Sequence, residues 1–144
     1  MPASVVRLLE QAQERLQGGD VAGAQLLCAQ VLQRAPRDGE ALCLLGIICL
    51  IEGRARDAVA YLEQTVAVLP WHGGGLDHLG LAHLMLGQYA EAERVLRKAA
   101  TLGGAPAAVH MRLALAVLHQ QRYREAIRLL QRALELEPQN IDCH

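Results

Sequence analysis

The stretch LDHLGLAHLMLGQYAEAERVL, residues 76–96, decides how this chain folds. A Leu-rich half carrying Leu79-Gly80 is followed by Gly87, and then by a half carrying Ala92 and Leu96. Shifted by 34 residues in either direction, the same marks return without a gap. Ala92 belongs to a column with Ala24, Ala58 and Ala126, and Gly80 to a small column with Ala12, Gly46 and Ala114. Leu96 lines up with Cys28, Leu62 and Leu130, and Leu79 with Leu45, Leu113 and the polar Gln11. Gly19, Gly53 and Gly87 mark the middle of each unit, with Gln121 the exception; Pro36, Pro70, Gly104 and Pro138 mark its end. A fixed period of this length is the signature of a repeat architecture.

Each unit reads as two helices. The spacing predicts first helices over 4–17, 39–52, 74–86 and 107–120, and second helices over 21–34, 55–68, 89–102 and 123–136. Glycine at the midpoint lets the chain reverse, because it accepts positive φ at little cost. Proline at the unit's end cannot continue a helix. Ala or Gly where two antiparallel helices cross lets the backbones approach, and the Leu columns fill the grooves beside them.

These units resemble tetratricopeptide repeats: Leu42, Leu45-Gly46, Ala58, Leu62 and Pro70 in one, Leu76, Leu79-Gly80, Ala92 and Leu96 in the next. The resemblance covers residues 5–140 and implies an all-α, right-handed α-solenoid of about four antiparallel helix pairs. It gives a single domain over 1–140, with repeats at about 5–38, 39–72, 73–106 and 107–140, and residues 141–144 opening a further, truncated helix. The family's aromatic slots are mostly filled here by Leu42, Cys49, His83 and Val117, so the packing is aliphatic. Gln11 and Arg15 in the first unit suit a capping helix that faces water.

Composition removes several function classes. With 52% apolar residues the chain is not a disordered one. The net charge is −1 and Lys98 is the single lysine, so neither a nucleic-acid footprint nor a polybasic membrane patch is present. The arginines from Arg122 to Arg132 share their run with Glu125 and read as a solvated helix face. The longest apolar stretch, Ala41 to Ile51, is too short to insert across a bilayer. Glu10 and Glu14 interrupt any secretory signal. Cys28, Cys43, Cys49 and Cys143 form no CxxC pair, which fits buried thiols in a reducing, cytoplasmic compartment.

Catalytic and metal chemistry find little purchase. The histidines at 72, 78, 83, 110, 119 and 144 show no i, i+3 or i, i+4 pairing within a helix and no HExxH. Cys43 and His78 fall in neighbouring columns, but a nucleophilic pair also needs an orienting group and an oxyanion site. Gly73-Gly74-Gly75 lacks the Lys-Ser/Thr of a phosphate loop and reads as a helix start. The expectation is a non-enzyme with no cofactor and no metal.

In tetratricopeptide repeats the first helices line a concave groove that receives protein ligands. The resemblance places Cys43, Ile47, Leu50, Ile51, Asp77, His78, Leu81, Leu84, Met85, Met111, Arg112, Leu115 and Leu118 on it. With these columns the run from Leu42 to Ile51 is apolar all round, which solvent-facing helices are not. Family members that clamp a C-terminal carboxylate use Lys and Asn on these helices, and sugar-transferring relatives use an Asn ladder; Lys98 and Asn140 are the only such residues here. A groove of Leu, Ile and Met suits an apolar or amphipathic segment, as in repeat proteins such as bacterial secretion chaperones. The alternative is that the chain forms the N-terminal substrate-positioning or oligomerisation part of a larger bacterial transferase, of glycosyl- or sulfotransferase type. Ile127, Leu130 and Leu134 in the last helix also want cover, which pairing of copies through terminal helices would provide.

Overall fold

Each helix pair reverses at a residue in the left-handed region: Gly19, Gly53 and Gly87 at φ 90°, 77° and 74°, and Gln121 at φ 65°. At all four, the next amide reaches back five positions. Asp20 donates to Arg15, Arg54 to Cys49 and Gln88 to His83, each at 2.8 Å, and Arg122 to Val117 at 3.3 Å. In this helix ending a left-handed residue lets loop amides satisfy the carbonyls of the last turn. The geometry repeats even where the glycine does not. Gln121 accepts about 1 kcal/mol of left-handed strain to keep it.

The computed structural model describes residues 3–102 and 104–136. Among them are eight helices and no strand: α1 Ala3–Gln17, α2 Val21–Arg34, α3 Gly39–Ile51, α4 Ala55–Val68, α5 Gly73–Met85, α6 Tyr89–Ala100, α7 Ala107–Leu118 and α8 Tyr123–Leu136. The second helices begin at 21, 55, 89 and 123, so the period survives into the structure. Every expected helix appears, with ends within two residues of those read from the sequence. The truncated helix expected at 141–144 lies outside the described residues, as do Pro138, Cys143 and His144.

The chain divides into two compact units at Gly75–Leu76. In the first, α1 packs on α2, α2 on α3 and α3 on α4. Val5, Ala12, Cys28, Val31, Leu45 and Ile48 are among its core residues. This layering explains why α3 is apolar on every side. Leu42, Cys43, Leu44, Leu45, Ile48 and Cys49 are all buried against neighbours, and Ile51 alone is well exposed, at 59%. The Leu42–Ile51 run is therefore mostly interior, and of the four groove residues expected in it Cys43 is buried while Ile47, Leu50 and Ile51 keep exposed surface. At the end of this unit His72 acts as a cap. Its Nδ1 accepts from the Gly75 amide at 2.8 Å, so the ring proton sits on Nε2 and donates to Glu40 at 2.9 Å. Gly75 itself lies so close to α4 that a Cβ would stand 2.9 Å from Thr65 Cγ2.

In the second unit α6 packs on α7 and α7 on α8. Gly80 of α5 meets Leu96 of α6 so closely that a methyl there would collide with the leucine side chain. Gly46 and Leu62 repeat the contact in the first unit, with a Cβ 2.5 Å from Leu62 Cγ. The small column is thus a row of backbone approaches, as its pattern implied. Beyond Leu96 the core continues through Ala92, Leu113, Ala116, Val117 and Ala126.

Candidate partner-binding surface

The second unit assembles nine of the thirteen residues expected to face a ligand. On α7, Met111, Leu115 and Leu118 are spaced i, i+4, i+7 and therefore share one stripe. They are 51%, 46% and 38% exposed. On α5, Leu81 and Leu84 in the same columns are half-buried, and Met85 is exposed. Leu84 also packs against the α6–α7 core, so part of its side chain is structural. An ion pair between Arg112 of α7 and Asp77 of α5 ties the two first helices together. The pair uses Asp77 Oδ2; Oδ1 is buried and has no hydrogen-bond partner. His78 is half-buried beside it in sequence.

The first unit contributes the other four. Ile51 is exposed, and Ile47 and Leu50 are half-buried. Cys43 is 4% exposed and offers no contact surface. Burial, and then the Glu40 carboxylate, pushes its thiol up to about 12. Burial and Asp38 push Cys28 up to about 11. Both are neutral at pH 7, the opposite of what a nucleophilic cysteine needs. Among the described residues no cluster of three or more His, Cys, Asp or Glu is placed to hold a metal ion. Among them, too, no helix is long and apolar enough to cross a membrane.

His83 fills an apolar column, as its position implied, and its Nδ1 hydrogen-bonds Gln88 Oε1 at 2.7 Å. His110 is half-buried; burial, and then Arg132, lowers its pKa.

The sequence matches the tetratricopeptide repeat family over residues 9–69 and 78–141. The chain is a tetratricopeptide repeat protein. No curated protein matches it significantly. Several solved structures share the fold. A crystal structure of MamA is 24% identical, with a TM-score of 0.80 over 88% of this chain and 74% of that one. Residues 41 to the end of MamA from Desulfovibrio magneticus RS-1 give 23% identity and a TM-score of 0.84, over 96% of this chain and 78% of that one. Cut9, in its hetero-tetramer with Hcn1 of the APC/C, gives 22% identity and a TM-score of 0.85, over 93% of this chain and 27% of that one. At these identities the likeness is one of fold.

Two features of this repeat protein escaped the sequence. Trp71, at the turn after α4, is 65% exposed. Glu93 of α6 accepts from Arg97 at 2.6 Å, Arg122 at 2.7 Å and Gln120 at 2.9 Å, while Arg97 also binds Glu125 at 2.6 Å. Arg122 and Glu125 are thus half of a bridge between α6 and the last helix pair, rather than only a solvated face. These partners lie 27 to 29 residues apart, off the 34-residue period, so the repeat pattern carried no signal for them.

Proposed function

We propose that this protein is a non-enzymatic scaffold whose first helices hold an apolar or amphipathic helical segment of another protein. The observation that supports this most is the α7 stripe of Met111, Leu115 and Leu118, left exposed on a helix that buries Val109, Leu113, Ala116 and Val117. Covering one such side chain is worth about 1.5–3 kcal/mol, so a few anchors suffice for micromolar binding after the entropic cost of association. Methionine adapts to irregular partners, which suits the ends of the stripe. Leu81 and Leu84 on α5 flank the seat, and the Asp77–Arg112 pair at its edge supplies orientation rather than affinity. Ile47, Leu50 and Ile51 serve the same role on the first unit. The buried Cys43 supports the helix beneath. Three free, buried thiols among the described residues support a cytoplasmic residence.

The test uses a displayed library of helical peptides. Wild type should enrich sequences with apolar residues at i, i+3 or i+4, and i+7. Leu115→Asp lies on an exposed position, so it should keep its helicity and melting point and enrich none of them. Leu81→Asp, half-buried, should behave likewise with a small loss of stability. Unchanged enrichment by a folded Leu115→Asp would remove the α7 stripe from the binding site.

A further inference from the structure

The outer face of α8 is a second apolar stripe, independent of the first. Tyr123, Ile127, Leu130 and Leu134 follow one another at intervals of four, three and four residues and lie 58%, 54%, 40% and 50% exposed. One repeat earlier, the same positions on α6 are Tyr89, Glu93, Leu96 and Ala100. That is the face α7 covers: Leu96 is fully buried there, and Glu93 binds Gln120 and Arg122. The α8 stripe is the continuation of an established helix–helix join, with Ile127 and Leu134 replacing Glu93 and Ala100. It is more apolar than the internal join it continues.

The chemistry of α1 says what fits it. In the 34-residue register, α1 carries Gln11, Glu14 and Arg15 where α7 carries Leu113, Ala116 and Val117. All three are exposed, so the α1 of a copy presents a polar face. Head-to-tail stacking would bury those groups against Ile127 and Leu130 without partners. The surface that matches α8 is α8. We propose that two copies of this chain pair through α8, antiparallel about a two-fold axis, with Ile127 of one against Leu130 of the other and Tyr123 against Leu134.

The rim supports this orientation. At about 100° per residue, Arg124 and Glu135 fall on the same side of the stripe, one near each end of α8. An antiparallel two-fold brings each Arg124 opposite the partner's Glu135; a parallel pair would leave the two flanks on opposite sides of the seam, with no such contact. The contact is self-complementary and closes at two copies. One face of a 14-residue helix falls short of the ~800 Å² per partner of a standard interface, so the dimer is weak and concentration-dependent.

Sedimentation velocity of the full chain, from low to high micromolar concentration, should show a monomer–dimer equilibrium. Leu130→Glu should weaken it about 30-fold or more while leaving the circular dichroism spectrum unchanged. Arg124→Glu and Glu135→Arg should each weaken it roughly three- to tenfold, and the two together should restore it. A chain monomeric at every concentration would overturn the proposal, leaving the stripe to residues 137–144 or to another protein. Growth beyond two copies that Glu14→Lys abolishes would overturn it in favour of head-to-tail stacking. A dimer indifferent to Leu130→Glu, or a double charge reversal without rescue, would also overturn it. Peptide enrichment by Leu130→Glu at wild-type levels would show the two stripes to be separate.

Discussion

Leu96 on α6 and Leu130 on α8 hold one position of the repeat, yet Leu96 is 0% exposed and Leu130 is 40%. The residue facing each across its helix pair differs by one methyl group. Opposite Leu96 stands Gly80, whose missing side chain the leucine occupies. In register with Leu130 stands Ala114. The first unit holds the same balance, with Leu62 seated on Gly46, and the small Cys28 matched with Ala12. Three pairs therefore keep their combined size: large with glycine, or small with alanine. The fourth joins large with alanine, and its leucine rides outward. A difference of one carbon, together with the covering helix that α6 has in α7, separates a core position from a surface one.

The sharpest way to break this comparison is to truncate both leucines. Leu96→Ala should cost about 2–5 kcal/mol, because it opens a cavity beneath α7. Leu130→Ala should cost about 1 kcal/mol, since much of that side chain is already in water. Urea titration at low protein concentration, where the chain is monomeric, reads both. Equal losses would mean that α8 is as well covered as α6.

The opposing residues give a smaller effect. Gly80→Ala should destabilise by about 1–3 kcal/mol despite the better helix propensity of alanine, because its methyl collides with Leu96. Ala114→Gly should cost no more than about 1 kcal/mol, the ordinary penalty for glycine in a helix. A stabilised Gly80→Ala would show that α5 and α6 can separate without loss, and the size-matching account would fail.

The contrast also shows what a sequence of this kind makes legible. Helix number, order and ends were readable because their determinants are local: a left-handed residue such as Gly53, and the small and large columns around Gly46 and Leu62. Exposure was not readable, because it depends on what lies beyond the repeat. Asp77, Met111 and Cys43 share one column, and one is ion-paired, one exposed and one buried. The Glu93 bridge was hidden for a related reason. Its partners Gln120, Arg122 and, through Arg97, Glu125 lie 27 to 29 residues away, and pattern alone did not show which charges would meet.

That bridge yields the smallest and most specific test. Ile127 of α8 occupies the position that Glu93 holds on α6, so the carboxylate belongs to the covered join alone. Burial of Glu93 by itself would raise its pKa. Hydrogen bonds from Arg122, Arg97 and Gln120 outweigh burial and hold the carboxyl at about 2, against an ordinary 4.5. Because the folded value lies below the unfolded one, the stabilisation is fully present above pH 4.5 and is lost as the pH falls towards 2. Both arginines are 42% exposed, so solvent screening trims the contribution to about 1–2 kcal/mol. Glu93→Gln should show that loss at pH 7 and converge on wild type as the pH approaches 2. The difference between the two curves is the quantity to measure, since the lowered carboxylate of Asp20 tilts both alike, while Glu125, which shares Arg97 and Arg122 with Glu93, responds to the same substitution and belongs to the bridge being tested. Curves that stay parallel from pH 7 to pH 2 would mean that the α6–α7 join is held by Leu96 and its apolar neighbours, and that the bridge only decorates it.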